Sequence, residues 1–299
     1  MSRRAFVAAV SCLPLCGAGS GKIRLGSYIF LKSDDPRALA REDRRLGYRA
    51  AYCPWAKVED TARVREIEAA FAAEDVIIAE VGAWRNMLEQ DSTKRRANIQ
   101  YVVDRLALAD AVGARCCVDI AGSFASDHQP HPDDLSPRHF DATVENCRYV
   151  IDQVKPKRTK FTIEMMSWTL PDGPDSYLAL LKAVDRSALG VHLDPCNAIN
   201  SAAKYYHNAD VITDCIHKLG PWILSCHAKD LLLSGESNIH LQEVIPGHGQ
   251  VDYRTYLREL AGLGREVPLM LEHLNTAEEY EEGTKYIRRI GGEAGVEFV

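Results

Sequence analysis

The amino-acid sequence predicts an α/β protein folded as a single (β/α)₈ barrel. Three observations carry that prediction. From Lys22 onward, eight short apolar runs alternate with eight amphipathic stretches, without a long linker or a break in composition. The runs are continuous in β-branched and large apolar residues, as expected of parallel strands covered on both faces. The length, 299 residues, suits eight such units closed into one barrel. The alternative is an open doubly wound sheet, but no Gly-x-Gly-x-x-Gly follows the first strand.

The first strand is expected over 24–30. Asp34-Asp35-Pro36 opens its helix, with acids at the positive end of the helix dipole, and Leu46-Gly47 closes it. The second strand spans 48–53 and its helix 59–74. The third spans 76–81, followed by a long helix over 92–112 that Gly113 stops. The fourth spans 115–120, then come a long polar loop and a helix over 137–154. The fifth unit pairs a strand at 160–165 with a helix at 174–184, and the sixth pairs 189–194 with 209–219. The seventh strand, 222–227, leads through a long loop to a helix opened by the cap Asp252. The eighth strand spans 267–272, and a last helix over 276–290 is expected to end at Gly291-Gly292.

Hydrophobic residues make up 46% and charged residues 26%, the balance of a soluble chain with a large core, and the formal net charge is -6. No basic stripe interleaved with aromatics appears, which argues against nucleic-acid binding. No run approaches the length of a membrane span. The nine cysteines form no C-x-x-C unit and are expected to be free buried thiols. Residues 1–20 carry Arg3-Arg4 and an apolar run from Ala8 to Leu15, the pattern of a twin-arginine export signal. On that reading the catalytic domain is 21–299 and the protein is exported to the periplasm. If 1–20 is a plain extension, the expected location is cytoplasmic.

Four strands end in one metal-competent side chain: Glu164, Asp194, His227 and Glu272, on strands five to eight. In a barrel these share one half of the C-terminal mouth, where such folds place their chemistry. Three unpaired carboxylates so close would repel, at a cost of about several kcal/mol each if buried. A divalent cation removes the conflict. The oxygen-rich set suits Mn²⁺ best, with Mg²⁺ or Co²⁺ as alternatives.

Ile163-Glu164, His192-Leu193-Asp194-Pro195, His227-Ala228-Lys229-Asp230, Pro246-Gly247-His248-Gly249-Gln250-Val251-Asp252 and Leu271-Glu272 together resemble the sugar phosphate isomerase/epimerase group of xylose-isomerase-like TIM barrels. The resemblance runs from about Lys22 to Ile290. It implies a metal held by Glu164, Asp194, His227 and Glu272, with Glu164 and Glu272 also moving protons. The implied reaction removes a proton beside a sugar carbonyl to give an enediolate, which the metal stabilises. Relative to ketohexose epimerases of that group, this chain has Leu170 for a glutamate, Asn197 for a histidine and Leu233 for an arginine. Its substrate contacts are therefore expected to differ. The group often forms homo-oligomers. The segments 166–173 and 194–197 are similar also to catalytic subunits of bacterial enzymes that cleave C-glycosides after oxidation at the sugar's 3-position, which work with a small second subunit. That lyase is the alternative function. A non-catalytic carbohydrate-binding barrel comes next, and a metal-dependent endonuclease would need more histidines and a basic groove.

The remaining candidates contact the sugar. Asn197 replaces a family histidine, and Lys229 shares a strand face with His227. Trp168 offers a stacking wall. Glu80, with Trp84 and Asn86, follows strand three. His128 and His131 lie in the loop after strand four as lid residues. The Pro246-Gly247-His248-Gly249 loop offers amides to an anion or shapes the rim.

Overall fold

The computed structural model describes residues 21–126 and 129–299; the expected export segment and His128 lie outside them. In chain order the strands are β1 (Ile23–Ser27), β2 (Ala50–Tyr52), β3 (Ile77–Gly82), β4 (Cys116–Ile120), β5 (Lys160–Glu164), β6 (Leu189–Leu193), β7 (Ile223–Ala228), β8 (Asp230–Leu233), β9 (Leu241–Val244) and β10 (Val267–Leu271). All but β8 and β9 form one closed parallel barrel, in the order β1-β10-β7-β6-β5-β4-β3-β2. The closing seam is in full register, from Ile23 opposite Val267 to Ser27 opposite Leu271.

Eight long helices cover the barrel: α1 (Pro36–Arg45), α2 (Thr61–Ala73), α3 (Ser92–Val112), α4 (Pro137–Val154), α5 (Pro174–Val184), α8 (Asn208–Leu219), α9 (Tyr253–Gly262) and α10 (Ala277–Ala294). Two short pieces, α6 (Pro195–Ala198) and α7 (Ala202–Tyr206), fill the β6–α8 connection. Local sequence sets several starts. Asp35, Asp91, Ser136 and Asp252 each accept a hydrogen bond from a first-turn amide, an arrangement that contributes about 1 kcal/mol per helix. No helix among the described residues is long and apolar enough to cross a membrane.

The main core lies between barrel and helices. Phe71, Leu106, Phe161, Tyr177, Tyr253 and Tyr256 are buried there. Three of the tyrosines also fix strand ends. Tyr177 Oη donates to Gly190 O at 3.0 Å, Tyr256 Oη to His227 O at 2.9 Å and Tyr253 Oη to Lys229 O at 2.8 Å. The inside of the barrel is polar near its mouth. Glu164 stands opposite His192, His192 opposite Ser225 and Met270 opposite His227, and side chains in register share a face. The seven cysteines among the described residues are free, as expected.

Four expectations need correction. The first strand ends at Ser27, and Tyr28-Ile29-Phe30-Leu31 turns out onto the rim instead of staying buried. The loop after the seventh barrel strand contains the β8–β9 hairpin. The last helix runs through Gly291-Gly292 and ends at Gly295, whose φ of 73° is left-handed. Gly291 is there for close packing, since a Cβ on it would lie 2.3 Å from Phe298 Cε2. The Gly247 and Gly249 amides already serve an internal anion: Asp230 Oδ2 accepts both, at 2.8 and 3.0 Å.

Candidate active site

Each of the four metal-competent residues sits where its strand stops. Glu164 is the last residue of β5 and Glu272 the first after β10. His227 is the next-to-last residue of β7. Asp194 follows β6, where Pro195 starts a helical turn. Its Oδ1 caps that turn by accepting from Cys196 N at 2.9 Å, which leaves Oδ2 for the site. One ligand atom from each of the four lies within 4.8 Å of all the others.

The imidazole of His227 is at the centre. Its Nδ1 is 2.7 Å from Glu272 Oε1 and 3.2 Å from Glu164 Oε1. Its Nε2 is 3.3 Å from Glu80 Oε2. Burial disfavours charge on this ring, but the carboxylates of Glu272, Glu80 and Glu164 outweigh it and raise the imidazole well above its usual range. Burial would likewise raise Glu272, yet His227 and Lys229 hold it below the ordinary carboxylate range.

Lys229 completes the cluster. Its ammonium is 2.7 Å from Glu272 Oε1, 2.8 Å from Asp194 Oδ2, 3.6 Å from Glu243 Oε1 and 4.0 Å from Glu164 Oε1. Asp194 Oδ2 is buried and receives no well-directed hydrogen bond, so the contact with Lys229 is chiefly coulombic. Burial opposes charge on Lys229, and the surrounding carboxylates more than reverse that.

Beneath His227 lies a second polar layer. Glu80 accepts from Ser225 Oγ and pairs with His192 Nε2 at 2.9 Å. Glu80, His192, Ser225 and His227 are all fully buried. Desolvation would raise the Glu80 carboxyl, but His192 and His227 pull it far below its usual range.

Above the cluster opens a cavity of about 660 Å³. Glu164, Asn197, Lys229, Glu243, Glu272 and His273 form its polar part. Asn197 Nδ2 reaches Glu164 Oε1 at 3.2 Å, and His273 Nδ1 reaches Glu243 Oε2 at 2.7 Å.

The expected substrate contacts divide. Asn197 and Lys229 line the cavity, as does Trp84. Glu80 does not: it is sealed under His227 and supports the ring from below. Asn86 is taken up by its own loop, where Oδ1 accepts from Leu88 N and Ser123 N. A bridge between Met166 and Thr169 turns that segment back, so that Met166, not Trp168, lines the cavity. His131 caps a 3₁₀ turn through Nδ1, 3.1 Å from Asp133 N, and packs its ring near Phe124. It does not line the cavity. His192, Ser225, Glu243, His273, Tyr28 and Tyr280 were missed. Two of them had a signal: His192 and Ser225 stand two residues before Asp194 and His227, the spacing that returns a strand residue to the same face.

The donor set fits a divalent cation. Three carboxylates and one imidazole converge, His227 has Nε2 committed to Glu80 with Nδ1 facing two glutamates, and Asp194 Oδ2 faces the cluster with its contact to the Lys229 ammonium but no well-directed hydrogen bond.

Residues 41–290 match the family model described as xylose isomerase-like TIM barrel. No curated protein matches the sequence. Among solved structures, 3-keto-D-glucoside 4-epimerase from E. coli is 13% identical, with 90% of this chain and 100% of that chain covered and a TM-score of 0.62. D-psicose 3-epimerase from Clostridium cellulolyticum is 16% identical, with 90% and 99% covered and a TM-score of 0.64. A xylose isomerase-like TIM barrel protein from Mycobacterium smegmatis, in complex with magnesium, is 19% identical, with 86% and 88% covered and a TM-score of 0.62. At these identities the likeness is one of fold.

Proposed function

The chain belongs to the xylose isomerase-like TIM barrel family, and from that premise we propose that it is a divalent-metal-dependent sugar isomerase or epimerase. The observation that carries this reading is the convergence of Glu164, Asp194, His227 and Glu272 at the floor of an open cavity. The epimerase names of two structural neighbours agree with it.

Those four residues would hold the cation. Bound there, it would polarise a sugar carbonyl and offset the negative charge that develops when the neighbouring proton leaves. The oxygen-rich donors suit Mn²⁺, Mg²⁺ or Co²⁺, and one neighbour is described with magnesium.

Proton movement falls to the two glutamates. Glu164 and Glu272 flank His227 Nδ1 and both line the cavity. One glutamate, as the carboxylate, takes the proton beside the carbonyl, and the other, already protonated, delivers its own proton from the opposite side, which inverts the carbon and leaves the two protonation states exchanged. Where a single glutamate works with a substrate hydroxyl, the outcome is aldose–ketose isomerisation. Asn197 orients Glu164 through its 3.2 Å contact. Lys229 places positive charge beside the same carboxylates and, after His227, helps hold Glu272 below the ordinary carboxylate range, in the ionised form a base requires.

The test is solvent exchange. With Mn²⁺ or Mg²⁺ in D₂O, a pentose, a hexose or a 3-oxo sugar should take up deuterium at the carbon beside its carbonyl. Absence of exchange across that panel, in protein shown to bind the metal, would defeat the reading.

A further inference from the structure

The N-terminal face of the barrel, opposite the acidic mouth, carries a cavity of the other sign. About 490 Å³ of space lies near the starts of β3, β4, β5 and β7, where Arg115, Lys157, Arg158 and Lys160 face a single acid, Glu68. Lys160 also borders a neighbouring cavity of about 340 Å³, whose other charged residues are Lys182 and Arg186, with no acid in its lining. Lys160 stands at the start of β5 and Glu164 at its end, so about 13 Å of strand separates this face from the metal-competent cluster.

The chain as a whole has a net charge of -6, so six cations facing one carboxylate reverse its average. They come from around the starts of β4 and β5 and the end of α5, and for that reason they leave no basic stripe in the sequence. Part of this charge is answered within the protein. Arg158 pairs with Glu68, Arg115 with Glu266 at 2.8 Å and Arg186 with Asp152 at 2.8 Å. Lys157, Lys160 and Lys182 form no ion pair among the described residues. The segment that carries two of these lysines is fixed: Asp110 Oδ1 accepts from the amides of Lys157, Arg158 and Thr159, at 2.7, 2.6 and 3.2 Å. Thr159 is 6% exposed and borders the larger cavity, and its Oγ1 is buried without a hydrogen-bond partner. Such an orphan hydroxyl calls for an oxygen or a water beside it. Most of the remaining lining is apolar and includes Phe71, Val76, Ile78, Val112 and Leu224.

We propose that this face holds a binding site for an organic polyphosphate, the class of the nucleoside di- and triphosphates, with the phosphates among Lys157, Lys160 and Lys182 and the organic body against Phe71, Val112 and Leu224. Two or more negative charges match three ammonium groups that lack carboxylate partners. A planar or apolar body covers a floor that inorganic phosphate would leave in contact with water. The volume, about 490 Å³, lies in the 300–1,000 Å³ range of small-molecule sites. The site stands apart from the sugar reading of the mouth, and either can fail without the other.

Calorimetric titration of the full-length protein at low ionic strength tests it, with Mg²⁺ in excess so that the probes do not strip a cation from the mouth. ATP should saturate one site below millimolar concentration, and tripolyphosphate and adenosine should each bind at least about tenfold more weakly. Lys157→Ala, at an exposed position, and Lys160→Met, which keeps an apolar stem, should each weaken ATP about threefold to tenfold with the melting temperature unchanged. Lys157→Arg should retain the wild-type affinity. Two further variants place the anion. Glu164→Gln, at the opposite mouth, and Arg289→Met, which removes an equal charge on α10, should both bind ATP as the wild type does. No saturable ATP binding at millimolar concentration, tripolyphosphate as tight as ATP, ATP affinity unchanged in both lysine variants, or an equal loss in Arg289→Met would overturn the site. Loss of ATP binding in Glu164→Gln would move the anion to the mouth and overturn it as well.

Discussion

The ammonium of Lys229 lies 2.8 Å from Oδ2 of Asp194, at a point where the fold gathers carboxylates from four different connections. It supplies within the chain part of the positive charge that a divalent cation would bring. A cation bound there would compete with this ammonium for Asp194 and Glu272. Lys229→Met is therefore expected to act in opposite directions on the two forms. Without metal, the buried carboxylates lose their nearest counter-charge and the melting temperature falls. With metal, the repulsion between neighbouring cations is gone, and Mn²⁺ should bind about tenfold more tightly, or 1.4 kcal/mol. Calorimetric titration with Mn²⁺ and melting curves with and without it check both. Weaker Mn²⁺ binding in the variant would show that Lys229 supports the metal and does not compete with it.

The two glutamates are separable from the scaffold. Glu164 and Glu272 contribute side chains to the cavity, while their backbones are fixed by the barrel. Glu164→Gln and Glu272→Gln should each cut deuterium exchange by about 10²- to 10⁴-fold, the usual worth of a positioned acid or base. Asn197→Ala, which frees the Glu164 carboxylate and removes one polar group from the cavity, should cost less. Exchange rates measured at saturating metal separate lost proton transfer from lost metal binding. Full exchange in both Gln variants would remove the glutamates from the chemistry.

What the sequence disclosed follows from how local each signal is. The alternation of apolar runs and helices is repeated eight times, so the barrel and the strand-end positions of Glu164, Asp194, His227 and Glu272 could be read directly. Side-chain alternation also placed Lys229 on the face of His227, and the structure puts it in the cavity. Facts that depend on long-range packing were not legible. Glu80 resembles the four in sequence, but it lies two residues before the end of β3, and the hydrogen bonds of His192 and Ser225 hold it below the site. Glu243 enters through a hairpin whose strands are short and partly polar. His131 and Trp168 lie in irregular loops, where no periodicity says which way a side chain points.

Glu80 acts through His227. It accepts at Nε2 of the ring whose Nδ1 faces Glu164 and Glu272. Such outer partners fix the ring's tautomer and strengthen it as a ligand, and losing one typically costs 10- to 100-fold in metal affinity. Glu80→Gln keeps the shape and removes the charge, so Mn²⁺ affinity should fall by about that factor. A Co²⁺-loaded variant should show a shifted visible spectrum, a change that a purely structural effect far from the ligands would not produce. Unchanged affinity and an unchanged spectrum would leave Glu80 as a core residue only.

Asp43, remote from the metal-competent cluster, gives the pH test of stability. Its side chain is buried, Oδ1 has no hydrogen-bond partner, and burial followed by the charge of Glu42 raises its carboxyl to about 8. The folded value lies above the unfolded one, so the folded state holds this proton more tightly. The resulting contribution to stability is fully present below the unfolded value of 3.8 and is lost as pH rises through about 8. Asp119 is raised to about 8 as well, but it is present in both proteins when wild type is compared with Asp43→Asn, and its effect cancels. The difference in unfolding free energy between the two should therefore shift in favour of the variant between pH 5 and pH 8.5, by about 1 to a few kcal/mol. Urea unfolding at the two pH values measures it. A difference that is the same at both would mean that Asp43 is already ionised, and solvated, in the folded protein.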